Sequence, residues 1–397
     1  MPEIFLNLQV LLDLEFIIMT NVTLTADFGA SLCRAIYTID GTSQPQLLLL
    51  APEIASVPYA SIHNYEQYKV SVSYPENSAW LMVNDTYYVL GALARDRFRV
   101  EPCLKEIKSN SAWYQILALV GCIAQRHKLT PNFSLNLAIL LPYDEFNVRD
   151  RFGERLEQLL ADFTFRGEKF SVSLARFLCY PEGSGIFLRG RTASKKKPNN
   201  PKEITIAVIM MGYRNTSLLV FDRGELKIAK TNLQGFEQMV ESVKAQVPGQ
   251  TSERLNRAIC QARTKKGKRA YQEISRLKEL EWREKEVAVL ERAVLQAREE
   301  YLRIVLDFLG QNLAQWECLD EFIVSGGTAL YLKKELTEHL RTYPGATINW
   351  CDSLEQRVQQ VFPEAYAKNS LKSRLCDVYG LFYKVLNQPL PRLNQAA

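Results

Sequence analysis

At 397 residues the chain is long enough for two packed domains, and its 47% hydrophobic and 23% charged residues exclude a disordered polypeptide. A net charge of +5 spread along the whole sequence does not mark a nucleic-acid binder. The eight cysteines form no C-x-x-C pair and have no nearby histidine, which argues against zinc and suits reduced thiols in a cytoplasm.

Residues 1–19 are apolar, but Glu3, Asp13 and Glu15 interrupt them, and neither a basic leader region nor a cleavage site is present. They are read as neither a signal peptide nor a membrane span. Because Met19 stands just before the first clear strand, they form either an optional extension or a short amphipathic helix lying on the domain.

From Asn21 three β-rich runs follow in sequence, NVTLTADF, LCRAIYTID and PQLLLLAP, and WLMVNDTYYVLGALAR forms a hairpin turning at Asn84-Asp85. SAWYQILALVGCIAQRHKL has helical periodicity, FSLNLAILLP reads as a strand, and a charged helix is expected from about Asn147 to Asp162. A basic loop with Arg189, Arg191, Lys195, Lys196, Lys197 and Lys202 comes next. It is read either as a solvated connector or as a contact for DNA phosphates or an acidic partner. ITIAVIMMGYRNTSLLVFDRGELKIAKT then repeats the opening order of strand, tight turn, strand, turn, strand, which implies an internal duplication of fold. A charged helical tract over 252–315 follows. Its Leu280, Val287, Leu290, Val294, Ala297, Tyr301, Ile304 and Phe308 approximate a heptad seam, read as one long helix packed on its own domain or as a projecting subunit contact. The chain closes with the strand and turn of FIVSGGT and a helix carrying Gly380.

Three loops carry candidate chemistry. In ADFGAS, Gly29, Ala30 and Ser31 allow backbone N–H groups to approach an anion, and Asp27 suits a hydrated cation, although an isolated D-x-G is also an ordinary hairpin turn. In MMGYRNTS, Gly212, Asn215 and Thr216 offer a second cradle. In VSGGTALYL, Gly326, Gly327 and Thr328 separate a buried strand from a helix start, which suits a nucleotide and equally a plain tight turn. No P-loop and no full G-x-G-x-x-G after a strand is present, and His63, His127 and His339 do not suggest a serine-type site.

Taken in order, ADFGASLCR, ILLPYDEF, the second glycine hairpin, VSGGTALYL and LCDVYGLFYKV resemble the actin-like ATPase superfamily, and within it the ParM-type bacterial actins that segregate plasmids. The resemblance covers nearly all of residues 20–390. It implies an α/β protein of actin-like fold, with two ribonuclease-H-like domains and a nucleotide cleft between them. Residues 20–165 with 372–397 would form the first domain and 166–371 the second. By that resemblance ILLPYDEF and LCDVYGLFYKV would connect the domains.

The same resemblance implies ATP and Mg²⁺ as cofactors. Asp27 would hold the metal, and Gly29, Ala30, Ser31, Arg34, Gly212, Asn215 and Thr216 would surround the phosphates. Gly326, Gly327 and Thr328 would lie beside the adenosine, and Glu145 would orient the attacking water. On its own, Glu145 reads as a carboxylate at the start of the helix near Asn147. Met210 stands where the family keeps a second metal-side aspartate. The implied activity is ATP-dependent assembly into filaments in the cytoplasm, with DNA contacted through an adaptor protein and no membrane involved. Met210 keeps an alternative open, a weakly hydrolysing or non-hydrolysing nucleotide-binding regulatory or scaffold protein on the same fold. A metabolite kinase is a third reading, weakened by the lack of an acidic base beyond Asp144 and Glu145.

Overall fold

The computed structural model describes residues 19–42, 44–69, 73–101, 107–189, 203–263, 267–316, 318–364 and 371–386. Residues 1–18 and the basic loop beyond Arg189 fall outside them. In chain order the elements are β1 (Asn21–Gly29), β2 (Leu32–Ile39), β3 (Gln46–Leu50), β4 (Ile54–Val57), α1 (Tyr59–Gln67), β5 (Trp80–Val83), β6 (Thr86–Leu90), α2 (Lys108–His127) and β7 (Asn132–Leu141). They continue with α3 (Arg149–Ala161), β8 (Phe163–Phe165), β9 (Glu168–Pro181), α4 (Ser184–Arg189), β10 (Thr205–Met211), β11 (Thr216–Asp222) and β12 (Glu225–Asn232). The last part comprises α5 (Phe236–Gln246), α6 (Ser252–Ala262), α7 (Arg269–Ile274), α8 (Leu280–Leu313), β13 (Glu321–Ser325), α9 (Gly327–Tyr331), α10 (Lys333–Leu340), β14 (Thr347–Asn349), α11 (Asp352–Val361) and α12 (Cys376–Val385).

Two mixed sheets carry the fold. The larger runs β3-β2-β1-β7-β9-β8-β5-β6-β4 and the smaller runs β12-β11-β10-β13-β14. In each, the first strand pairs antiparallel with its hairpin partner and parallel with a strand that comes back after helices, β1 with β7 and β10 with β13. The five strands β3-β2-β1-β7-β9 thus repeat the order and directions of β12-β11-β10-β13-β14. The duplication read from the sequence is a duplication of sheet topology.

The strand period of two explains how one strand serves two faces. In β1, Val22, Leu24, Ala26 and Phe28 enter a core shared with α2 and α3, while the Thr25 hydroxyl faces the Val378 carbonyl of α12. A second core packs the smaller sheet on α5, α6 and α8. A third, built from Ile36, Ala138 and Leu140 of one sheet, Ile206, Val208 and Ile323 of the other, and much of α11 and α12, joins the halves.

Three sequence expectations need correction. The boundary at 165/166 falls inside the β8–β9 hairpin, and β9 belongs to the larger sheet between β7 and β8. The helical tract over 252–315 is three helices, α6, α7 and α8. Along α8 the buried stripe passes through Val287, Leu290, Val294, Ala297 and Tyr301 and then reaches Val305 and Leu309 in place of Ile304 and Phe308, and Leu280 is exposed. A straight helix turns once in about 3.6 residues, so its buried face drifts off a seam of about 3.5. Third, ILLPYDEF ends in a turn of the first half, and the chain crosses to the second half through α4.

Candidate functional site

The β1–β2 and β10–β11 turns face each other across a cleft lined by Asp27, Gly29, Ala30, Ser31, Arg34, Lys108, Glu182, Met210, Gly212, Tyr213, Arg214 and Asn215. The duplicated topology puts them there, because each turn ends the first strand of its sheet. The free volume is only about 60 Å³, space for a few water molecules, because charged side chains fill the gap.

Asp27 and Arg34 sit opposite each other in the β1–β2 register, and Arg34 Nη1 donates to Asp27 Oδ2 at 2.5 Å. The guanidinium folds back over Gly29, where a Cβ would lie 2.1 Å from Arg34 Nη2. Only glycine leaves that seat open. Arg34 Nη1 also donates to the Arg374 carbonyl at 3.1 Å, which ties the hairpin to the segment before α12.

The opposing hairpin closes with Gly212 N donating to the Asn215 carbonyl at 2.8 Å. Thr328 Oγ1 donates to the Gly212 carbonyl at 2.8 Å, and Gly326, at φ 106°, packs where a Cβ would meet the Met211 carbonyl at 2.1 Å. The SGGT turn is therefore fastened to the β10–β11 turn. Arg374 lies across Gly327, its Nε 3.2 Å from where a Cβ would stand. Thr216 does not reach the cleft. It is fully buried, on the side of β11 that faces Tyr301 of α8.

Glu145 is also elsewhere, and is absent from the cleft lining. Its Oε1 accepts from Lys108 N at 3.0 Å and its Oε2 from Ser109 N at 2.7 Å, so it caps the N-terminus of α2. Besides Asp27, the carboxylate that faces the cleft is Glu182, which follows β9 and was missed with that strand. It is buried, takes the Lys108 ammonium on one oxygen, and accepts from Asn215 Nδ2 at 3.2 Å on the other, across the cleft.

Beneath Glu182, the buried Asp377 of α12 accepts from Gly183 N at 2.6 Å, Gly185 N at 2.7 Å and Ile186 N at 3.2 Å. Burial pushes its carboxyl up to about 7 against the pull of these N–H donors, with Asp27 and Glu182 adding to the rise. The α4 and α12 helices cross with Gly185 against Gly380, backbone on backbone. Sequence reasoning singled out none of Lys108, Glu182, Arg214, Arg374 or Asp377 as site residues.

The donor set does not fit a protein-held divalent cation. The Asp27 carboxylate is engaged by Arg34, Glu182 is engaged by Lys108, and Met210 supplies no charge. Among the described residues no group of three or more His, Cys, Asp or Glu is placed to hold a metal ion.

No protein-family model matches the chain, and no curated protein sequence does. Solved structures are similar to it throughout. The actin-like protein Alp7A is 13% identical, over 92% of this chain and 96% of its own, with a TM-score of 0.59. Bacillus thuringiensis ParM with ATP is 14% identical, over 92% and 98%, with a TM-score of 0.55. The Alp12 filament structure is 14% identical, over 92% and 98%, with a TM-score of 0.52. At these identities the likeness is one of fold, and the chain has the actin-like fold.

Proposed function

We propose, with the actin-like fold as the premise, that this chain binds ATP in the cleft and assembles into nucleotide-dependent filaments in the cytoplasm. By analogy with ParM those filaments would separate plasmid copies, with DNA held through an adaptor protein. The observation that carries the reading is the pair of equivalent hairpin turns facing each other across a cleft lined with cations. Backbone N–H groups of Gly29 to Ser31 and of Tyr213 and Arg214, in the turn opened by Gly212, would cradle the phosphates, and the Gly326 to Thr328 turn would border the adenosine. An entering γ-phosphate would draw the Lys108 ammonium from Glu182. Glu182, thus released, would be the group that orients the attacking water.

The reading is tested by light scattering of the purified chain after addition of ATP, ADP or a non-hydrolysable ATP analogue. A rise with ATP that decays, and persists with the analogue, is expected. No rise with any nucleotide, in folded and nucleotide-bound protein, would reject filament assembly.

A second reading, a nucleotide-binding regulatory or scaffold protein without useful hydrolysis, is favoured by Met210 and by the engagement of Asp27 with Arg34. Phosphate release in the same time course separates the two, since assembly or binding without release supports the second. Restoring a carboxylate with Met210→Asp adds a further arm. A chain whose site has decayed gains hydrolysis, whereas a site that works as it stands gains little.

A further inference from the structure

Resting on the nucleotide reading above, we propose that this cleft neutralises a nucleoside polyphosphate with arginines, so that nucleotide binding does not depend on a divalent cation. Three observations support it.

First, the Asp27 carboxylate beside the Gly29 turn already has a cation. The Arg34 guanidinium is seated on it by the open face of Gly29, and a metal at Asp27 would have to displace a buried ion pair. Second, the opposing turn offers the thioether of Met210, which is no ligand for a hard cation such as Mg²⁺.

Third, cations outnumber carboxylates around the cleft. Asp27 and Glu182 each hold one cation, Arg34 and Lys108, and among the described residues neither Arg214 nor Arg374 has a carboxylate partner. Arg374 is half-buried and lies against Gly327. Burial, with the like charge of Arg34, pulls its guanidinium below its ordinary range, as expected of a cation lacking a counter-charge. A phosphate chain running from the SGGT turn toward the hairpins would meet Arg374, then Arg34 and Arg214. A guanidinium fork binds phosphate oxygens two at a time, a task a metal would otherwise share.

The test is equilibrium binding of ATP to the full chain by calorimetry, once with excess magnesium and once with excess EDTA. Equal affinity within about threefold, or tighter binding in EDTA, is expected. Arg374→Met and Arg214→Met should each weaken ATP roughly tenfold to a hundredfold in both buffers, the value of a charge-assisted hydrogen bond. Binding that needs magnesium, or weakens tenfold or more on chelation, overturns this inference and leaves the nucleotide reading standing. Wild-type affinity in both variants also overturns it. No binding in either buffer overturns both. The wild-type comparison decides the matter even if Arg374→Met does not fold, and Arg214 lies in a turn outside the cores.

Discussion

The two glutamates of the first half separate a capping role from a cleft role. Glu145 holds Lys108 N and Ser109 N, and its loss should cost α2 about 1 kcal/mol, typical of a lost helix cap. Glu182 is buried in the cleft between Lys108 and Asn215. Glu182→Gln should slow ATP-driven phosphate release roughly a hundredfold or more while leaving ATP affinity within a few-fold. Glu145→Ala should lower the thermal midpoint yet keep the release rate of the folded fraction. Single-turnover assays beside melting curves check both, and the reverse pattern would return Glu145 to the chemistry. Only the family resemblance put Glu145 in the chemistry, while on its own it reads as a carboxylate at the start of the helix near Asn147. Only the tertiary fold shows its two oxygens spent on a helix that begins 37 residues earlier.

Among the elements, the α4–α12 crossing is the most sharply constrained. A Cβ on Gly185 would stand 1.9 Å from the Asp377 carbonyl, and one on Gly380 would stand 2.3 Å from the Gly185 carbonyl. Neither obstacle is a side chain that can turn aside. Gly185→Ala should therefore cost about 3 kcal/mol or more, by overpacking between two backbones, which a urea denaturation midpoint reads directly. A loss below about 0.5 kcal/mol would mean that the helices slide apart freely. The hairpins β1–β2, β5–β6 and β10–β11 were legible because turn residues bracket apolar runs. β9 was not, because Ser171, Ser173 and Arg176 face outward and a bulge at Ala175 breaks the alternation where Leu135 pairs with Leu174 and Asn136 with Arg176. Missing that strand hid Glu182 and the connection behind it. The breaks between α6, α7 and α8 were hidden for a different reason, since charged residues dominate both the helices and their joints.

In the whole molecule, the repeated sheet topology was readable as a repeated order of strands, and the resemblance placed LCDVYGLFYKV, now α12, between the halves, while the contacts that hold them together were not readable. That joint is a third core together with one carboxylate, Asp377, which rises from α12 to fasten Gly183 and the first turn of α4 directly below Glu182. The groups facing it are the N–H donors of Gly183, Gly185 and Ile186 and the carboxylates of Asp27 and Glu182. Its folded-state value, about 7, lies above the 3.8 of an ordinary aspartate, so folding takes up a proton between those values. The stabilisation from this proton is complete below pH 3.8 and is lost as pH rises through about 7, which leaves a buried charge above it. Asp377→Asn removes the titration. The variant's stability relative to wild type should therefore climb between pH 5 and pH 8 by about 1 kcal/mol or more, measured by urea midpoints at each pH. Because the same carboxylate spans the joint, ATP affinity of the wild type should change over that window more than that of the variant. Parallel stability profiles for the two proteins would mean that Asp377 stays ionised throughout, held by its three N–H donors, and the joint would then be insensitive to pH.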